Sequence, residues 1–149
     1  STLEVTSYRI EDYATYPRAY EGHYPHYQTR VEEETGERKF KKGDLWIPTA
    51  QEGVRYLLET LEPELADSFF NWNFFDAILQ QKEGFSAYVF EDTAAEMLRS
   101  DPALRAAFEA KREQDPAFGQ SPYQQLDWIF RRSPYYEPAH MRYPVYRLE

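Results

Sequence analysis

His23-Tyr24-Pro25-His26 is the one place in the chain where two metal-ligating side chains stand close together, and the third histidine, His140, is far along the sequence. A zinc site needs three or four ligands in defined geometry. Pro25 spoils a helical i, i+3 arrangement of the pair, and the third ligand would have to be Glu137, His140 or a distant carboxylate. The reading is therefore two loop histidines held by backbone hydrogen bonds, with no metal ligand assigned. Asp67 and Asp76 flank a run of aromatic residues, and two acids beside rings would suit glycoside hydrolysis. With 26 acidic residues such pairs are common, and Asp67 reads equally well as a helix cap. Ser68, Ser86 and Ser121 lack a Gly-x-Ser-x-Gly elbow. The 6 glycines are scattered singly, so no phosphate-cradling loop is formed. No catalytic, cofactor-binding or metal-binding residue is assigned. What remains is a polar-aromatic ligand set: Tyr135, Tyr136, Glu137 and His140 in one proline-bounded loop, with Tyr24 from another. That loop equally well only anchors the end of the chain.

The elements that must position these residues follow from composition and pattern. The 149 residues are read as one domain, 1–149. Thirteen Tyr, 10 Phe and 3 Trp give 17% aromatic residues, and tyrosine suits surfaces that are apolar at one end and wet at the other. A net charge of -9 argues against nucleic acid or an anionic membrane as partner. Without cysteine there are no disulfides and no thiolate zinc sites. No apolar run approaches the roughly 20 residues of a membrane span, so no membrane insertion is expected. The opening Ser1-Thr2-Leu3-Glu4-Val5 has no initiator Met or signal-type core, which suits a fragment of a longer protein.

Residues 2–10 alternate and read as a strand. Residues 16–26, with two prolines and a glycine, read as an irregular loop. Residues 27–33 and 38–42 read as a β-hairpin about Gly36, and Leu45-Trp46-Ile47 as a short strand stopped by Pro48. Thr49 and Glu52 have capping-box spacing ahead of Val54, Leu57, Leu58 and Leu61, a helix ended by Pro63. The segment 67–92 holds Phe69, Phe70, Trp72, Phe74, Phe75, Phe85, Tyr88 and Phe90. It reads as the aromatic centre of the domain, with Asp67 or Ser68 capping a helix through Leu79 and Gln80. A further helix begins at Asp92 or Thr93, and Asp101-Pro102 and Ser121-Pro122 each start another. Residues 141–148 return as a strand, with Pro144 favouring an edge. The fold class is α+β: N-terminal antiparallel strands with a hairpin, several helices, then a final edge strand.

Several stretches carry a family resemblance. They are Lys42-Gly43-Asp44, Ile47-Pro48-Thr49, the helix from Val54 to Pro63, Asp67-Ser68-Phe69-Phe70, Trp72-Asn73-Phe74-Phe75-Asp76, Ile78-Leu79-Gln80-Gln81-Lys82-Glu83 and Tyr88-Val89-Phe90-Glu91-Asp92. Together with Ser133-Pro134-Tyr135-Tyr136-Glu137-Pro138 and Tyr143-Pro144-Val145-Tyr146-Arg147, they resemble the C-terminal region of large bacterial zinc carboxypeptidase-like proteins. The likeness covers nearly the whole chain after Val5. It implies an exported (periplasmic or extracellular) parent with a zinc-carrying peptidase domain upstream, which is the expected partner. The family's His-x-x-Glu motif does not occur: three places on from His23 stands His26, from His26 Thr29, and from His140 Tyr143. No zinc ligand or catalytic glutamate is carried over. The chain alone is expected to be inactive, a noncatalytic accessory domain with no cofactor of its own. The alternative is a peptide- or glycan-binding module in which Tyr16, Tyr20, Tyr24, Tyr135 and Tyr136 grip the ligand.

Overall fold

The computed structural model describes residues 1–82 and 84–148, leaving Glu83 (one of the residues of the resemblance) and Glu149 outside the description. The fold is α+β. Two strands, β1 (Thr2–Thr15) and β2 (His26–Lys39), pair antiparallel from Thr2 opposite Lys39 to Thr15 opposite His26. The turn between them is not where Gly36 suggests. Gly36 lies opposite Val5 inside β2, and the hairpin expected around it is replaced by one strand that pairs with β1. The reversal uses residues 16–25, closed by a Tyr20/His23 bridge. Its two central residues, Glu21 and Gly22, have φ of 48° and 81°, the positive values a tight two-residue hairpin requires. The tail of the chain lies on the other side of β1 through bridges Thr6/Arg147 and Arg9/Arg142. Pro144, which has no N–H to give, falls between the two bridges. The outer strand β2 carries Glu32, Glu33, Glu34 and Glu37, charges that discourage pairing along that edge.

Helix α1 (Val54–Leu61) begins after Gly53 at φ 81°, and no side chain caps it. The Thr49/Glu52 capping box does not form, because the Gln51 N–H is drawn into a turn with the Thr49 carbonyl. Pro63 forces Glu62 into extended backbone and ends the helix. Leu45-Trp46-Ile47 forms no strand. The helix expected through Leu79 also fails, for a visible reason. Ser68 does cap, donating to the Pro63 carbonyl and accepting from the Asn71 N–H. One turn later Asn73 takes φ 68°. Phe74 N–H then bonds the Phe69 carbonyl and Asn73 N–H the Phe70 carbonyl, each at 3.0 Å, a complete Schellman stop. Only a short 3-10 turn, Asp76–Leu79, follows.

The remaining helices are α2 (Ala87–Ser100), α3 (Pro102–Gln114), α4 (Pro116–Gln120) and α5 (Pro122–Phe130). Asp101, Asp115 and Ser121 accept a hydrogen bond from the backbone N–H three residues on, each ahead of a proline at the first helical position.

Contacts gather the chain into two units. The first, Ser1–Gln80 with the tail from Pro138, packs Tyr8, Ile10, Phe70 and Tyr143 as its core. The second, Gln81–Glu137, packs Phe90, Ala94, Phe108, Phe118, Ile129 and Phe130. The aromatic run therefore feeds two cores. Phe70 is fully buried in the first and Phe90 is buried in the second, while Phe74 and Tyr88 are exposed.

Candidate functional site

A cleft of about 780 Å³ opens in the first unit, lined by residues from 16–28 and from 64–72. Its walls are rings and prolines. Tyr16 stacks on Tyr27 with centroids 4.3 Å apart, and Tyr20 tilts toward Trp72 at 6.1 Å. Pro17 and Pro25 stiffen the loop that carries Tyr16 and Tyr20.

Asn73 pins that loop from outside the wall. Its side-chain oxygen accepts the Tyr24 N–H at 2.9 Å and its amide donates to the Tyr24 carbonyl at 2.8 Å. The left-handed backbone of Asn73, which Asn tolerates better than other non-glycine residues, aims the side chain while ending the preceding turn. Asn71 works from within. Its side chain accepts from Thr29 at 2.6 Å and donates to the Leu65 carbonyl, and its carbonyl takes the His26 N–H.

His26 is buried on the cleft wall. Its Nδ1 is 2.8 Å from Thr15 Oγ1 and its Nε2 is 2.7 Å from Asp76 Oδ1. Both ring nitrogens are thus engaged by side chains, where the sequence suggested backbone partners. Tyr13 stands edge-on to His26 at 4.8 Å. Burial, and then the Asp76 carboxylate, push the Tyr13 hydroxyl above its ordinary pKa. His23 goes elsewhere, against the rings of Trp72 and Phe74. Asp67 accepts from the Trp72 indole at 3.3 Å, while Asp76 holds His26. His26 and Asp76 are thereby committed to each other and to Thr15 of β1, and Asp67 to the Trp72 indole.

Two polar groups on the lining are not committed. Arg18 and Gln28 have no side-chain partner among the described residues. Gln28 also holds φ 51° at an irregularity in the β1–β2 register, a costly backbone state that recurs at ligand sites.

The five residues proposed from sequence divide between the units. Tyr24 is exposed on the cleft loop, and His140 is buried in the first unit. Tyr135 is exposed in the second unit, where Tyr136 packs edge-on against Phe130 and Glu137 accepts the Lys82 N–H. Among the described residues no group of three or more His, Asp or Glu is arranged to hold a metal ion, and no helix is long and apolar enough to cross a membrane. Asn71, Asn73 and Gln28 were not singled out from sequence, because their roles depend on contacts across the fold. The run Trp72-Asn73-Phe74, polar amid rings, was the available signal for Asn73. Comparison with protein-family models, curated proteins and solved structures finds no match to this chain.

Proposed function

We propose that this chain is a noncatalytic accessory region of an exported zinc carboxypeptidase-like protein, packing on an upstream peptidase domain that carries the zinc. The wording of 42–92 and 133–147 motivates the reading. The observation that carries it is the committed state of the reactive-looking groups: His26, Asp76 and Asp67 each hold a structural partner in the first unit. A side chain that must keep such a bond to hold its own loop is poorly placed to trade protons with a substrate. The test is an assay of C-terminal residue release by this chain and by a longer polypeptide that includes the upstream sequence, with and without added zinc. Release by the longer polypeptide alone supports the reading; zinc-dependent release by this chain would refute it.

The cleft favours a second reading, in which the chain also holds a segment of peptide or glycan. Stacked tyrosines offer rigid, amphipathic area at small entropic cost, and the unpartnered Arg18 and Gln28 can orient a polar ligand. Retention on peptide or glycan arrays that is lost in a Tyr16→Ala variant would support it. No retention of the intact chain on either array would remove it.

A further inference from the structure

The polar groups left over on the cleft wall are mostly donors. The hydroxyls of Tyr16, Tyr20 and Tyr27, the Arg18 guanidinium and the Gln28 amide have no partner among the described residues. Acceptors are scarcer. The Asn71 side chain is occupied at both ends, by Thr29 and by the Leu65 carbonyl. Both ring nitrogens of His26 are held by Thr15 and Asp76. One oxygen of Glu64 takes the Val31 N–H at 3.1 Å, which leaves its other oxygen and the Gln28 carbonyl, beside the phenol lone pairs. Such a wall matches a ligand rich in carbonyls and poor in N–H and O–H groups.

That balance separates ligand classes. Every saccharide hydroxyl brings a donor along with its lone pairs, and an ordinary extended peptide brings one N–H for each carbonyl. A polyproline II segment does not. Its carbonyls face outward with no internal hydrogen bond, and each proline lacks an N–H. The apolar part of the wall agrees. Tyr16 lies on Tyr27 with ring planes 27° apart, a flat ledge, whereas Tyr20 and Trp72 offer faces inclined at 55°. Aromatic-lined grooves are the surfaces on which such segments dock, and a helix formed before binding loses little entropy there. The rings are also fixed in advance, since Asn73 clamps the Tyr24 peptide by both its N–H and its carbonyl.

Charge adds a direction. Most arginines of this chain face a carboxylate, as Arg30 faces Asp12 and Arg142 faces Glu34. Arg18 does not, although the chain has 26 acidic residues. A guanidinium left free beside rings suits a carboxylate brought by the ligand. We propose that the cleft docks a polyproline II segment, with its prolines against the Tyr16/Tyr27 and Tyr20/Trp72 rings and an acidic side chain beside them paired with Arg18. This rests on the reading that the cleft holds a ligand, and it names the class of that ligand.

The test measures binding of labelled probes to this chain by fluorescence anisotropy. The probes are a capped oligoproline bearing a single Glu, the same peptide with Lys in its place, a Gly/Ser peptide of equal length bearing the Glu, and a neutral oligosaccharide. The Glu oligoproline binds about tenfold or more tightly than the Gly/Ser peptide. Tyr16→Phe with Tyr20→Phe, which keeps the rings and removes their donors, weakens it by about three- to tenfold. Arg18→Glu turns the preference toward the Lys peptide, an effect that fades with salt. Equal or tighter binding of the oligosaccharide or the Gly/Ser peptide, lost in Tyr16→Ala, overturns the proline proposal and spares the cleft reading. Oligoproline binding that Tyr16→Ala leaves unchanged puts its site elsewhere and overturns the proposal as well. Loss in Tyr16→Ala with no response to Arg18→Glu overturns the acidic partner and upholds the proline segment. No binding of any probe overturns both the proposal and the cleft reading.

Discussion

Asn73 ends one turn with its backbone and holds the Tyr24 peptide with its side chain, so one residue fixes both sides of the cleft mouth. Asn73→Ala is expected to leave the core intact and free the loop 16–25, with faster proteolysis there and at least tenfold weaker retention of any cleft ligand. A loop as resistant as in the parent chain would show that the pin is redundant. Tyr8 makes a different prediction. Its hydroxyl is buried and donates to Glu62 at 3.2 Å, and burial followed by the Glu62 charge raises its pKa to about 12. Tyr143, which donates to the Leu61 carbonyl, is pushed upward for the same leading reason. Below about pH 10 both the folded and the unfolded chain keep these protons, and the full stability is present. Above it the unfolded chain releases them first, so stability falls as pH rises toward about 12, by on the order of 2 kcal/mol for Tyr8. Denaturant unfolding across this window should show that slope in the parent and a shallower one in Tyr8→Phe.

At the scale of elements, local chemistry and long-range partnership part company. Asp101-Pro102 and Ser121-Pro122 start helices where the sequence indicates, because a cap and a first-turn proline act within four residues. Asp115-Pro116 has the same form and starts α4; the pattern was available there and was passed over. Asp101→Ala should cost about 1 kcal/mol of the second unit's stability, read as a shifted denaturation midpoint. At Asp115 the Phe118 N–H, then Lys111, hold the carboxyl below its usual range. Its contribution is present above the ordinary carboxylate pKa and is lost as pH falls through the lowered one. The hairpin was misplaced because Gly36 resembles a turn residue, whereas β1 recruits the whole of 26–39 as a partner and moves the reversal to Glu21-Gly22. Likewise Asp67 or Ser68 as a cap suggests a helix through Leu79 and Gln80, but Asn73 in the left-handed region stops it. Neither outcome is readable without knowing what lies opposite.

For the whole molecule, the α+β order of strands then helices was legible; the tail does return beside β1, but through two isolated bridges and not as the final strand expected over 141–148. The division of one aromatic run between two cores was not, since ring content alone does not say which side each ring faces. The first unit is discontinuous, and Tyr143, fully buried, reaches it from the tail. A chain ending at Glu137 should therefore lose the first unit's cooperative unfolding and keep the helical signal of α2 to α5. Loss of both signals would mean that the second unit cannot fold by itself. As for the site, the tyrosine-rich loop was recognisable from its residues; the cleft it lines needed the pairing of β1 with β2 and the turn at Asn73.

The most direct trial of the account is release of C-terminal residues from peptides by this chain alone, measured with zinc present and beside the longer polypeptide. The account predicts background release from the chain and turnover from the longer polypeptide. Zinc-dependent turnover by these 149 residues on their own would contradict it.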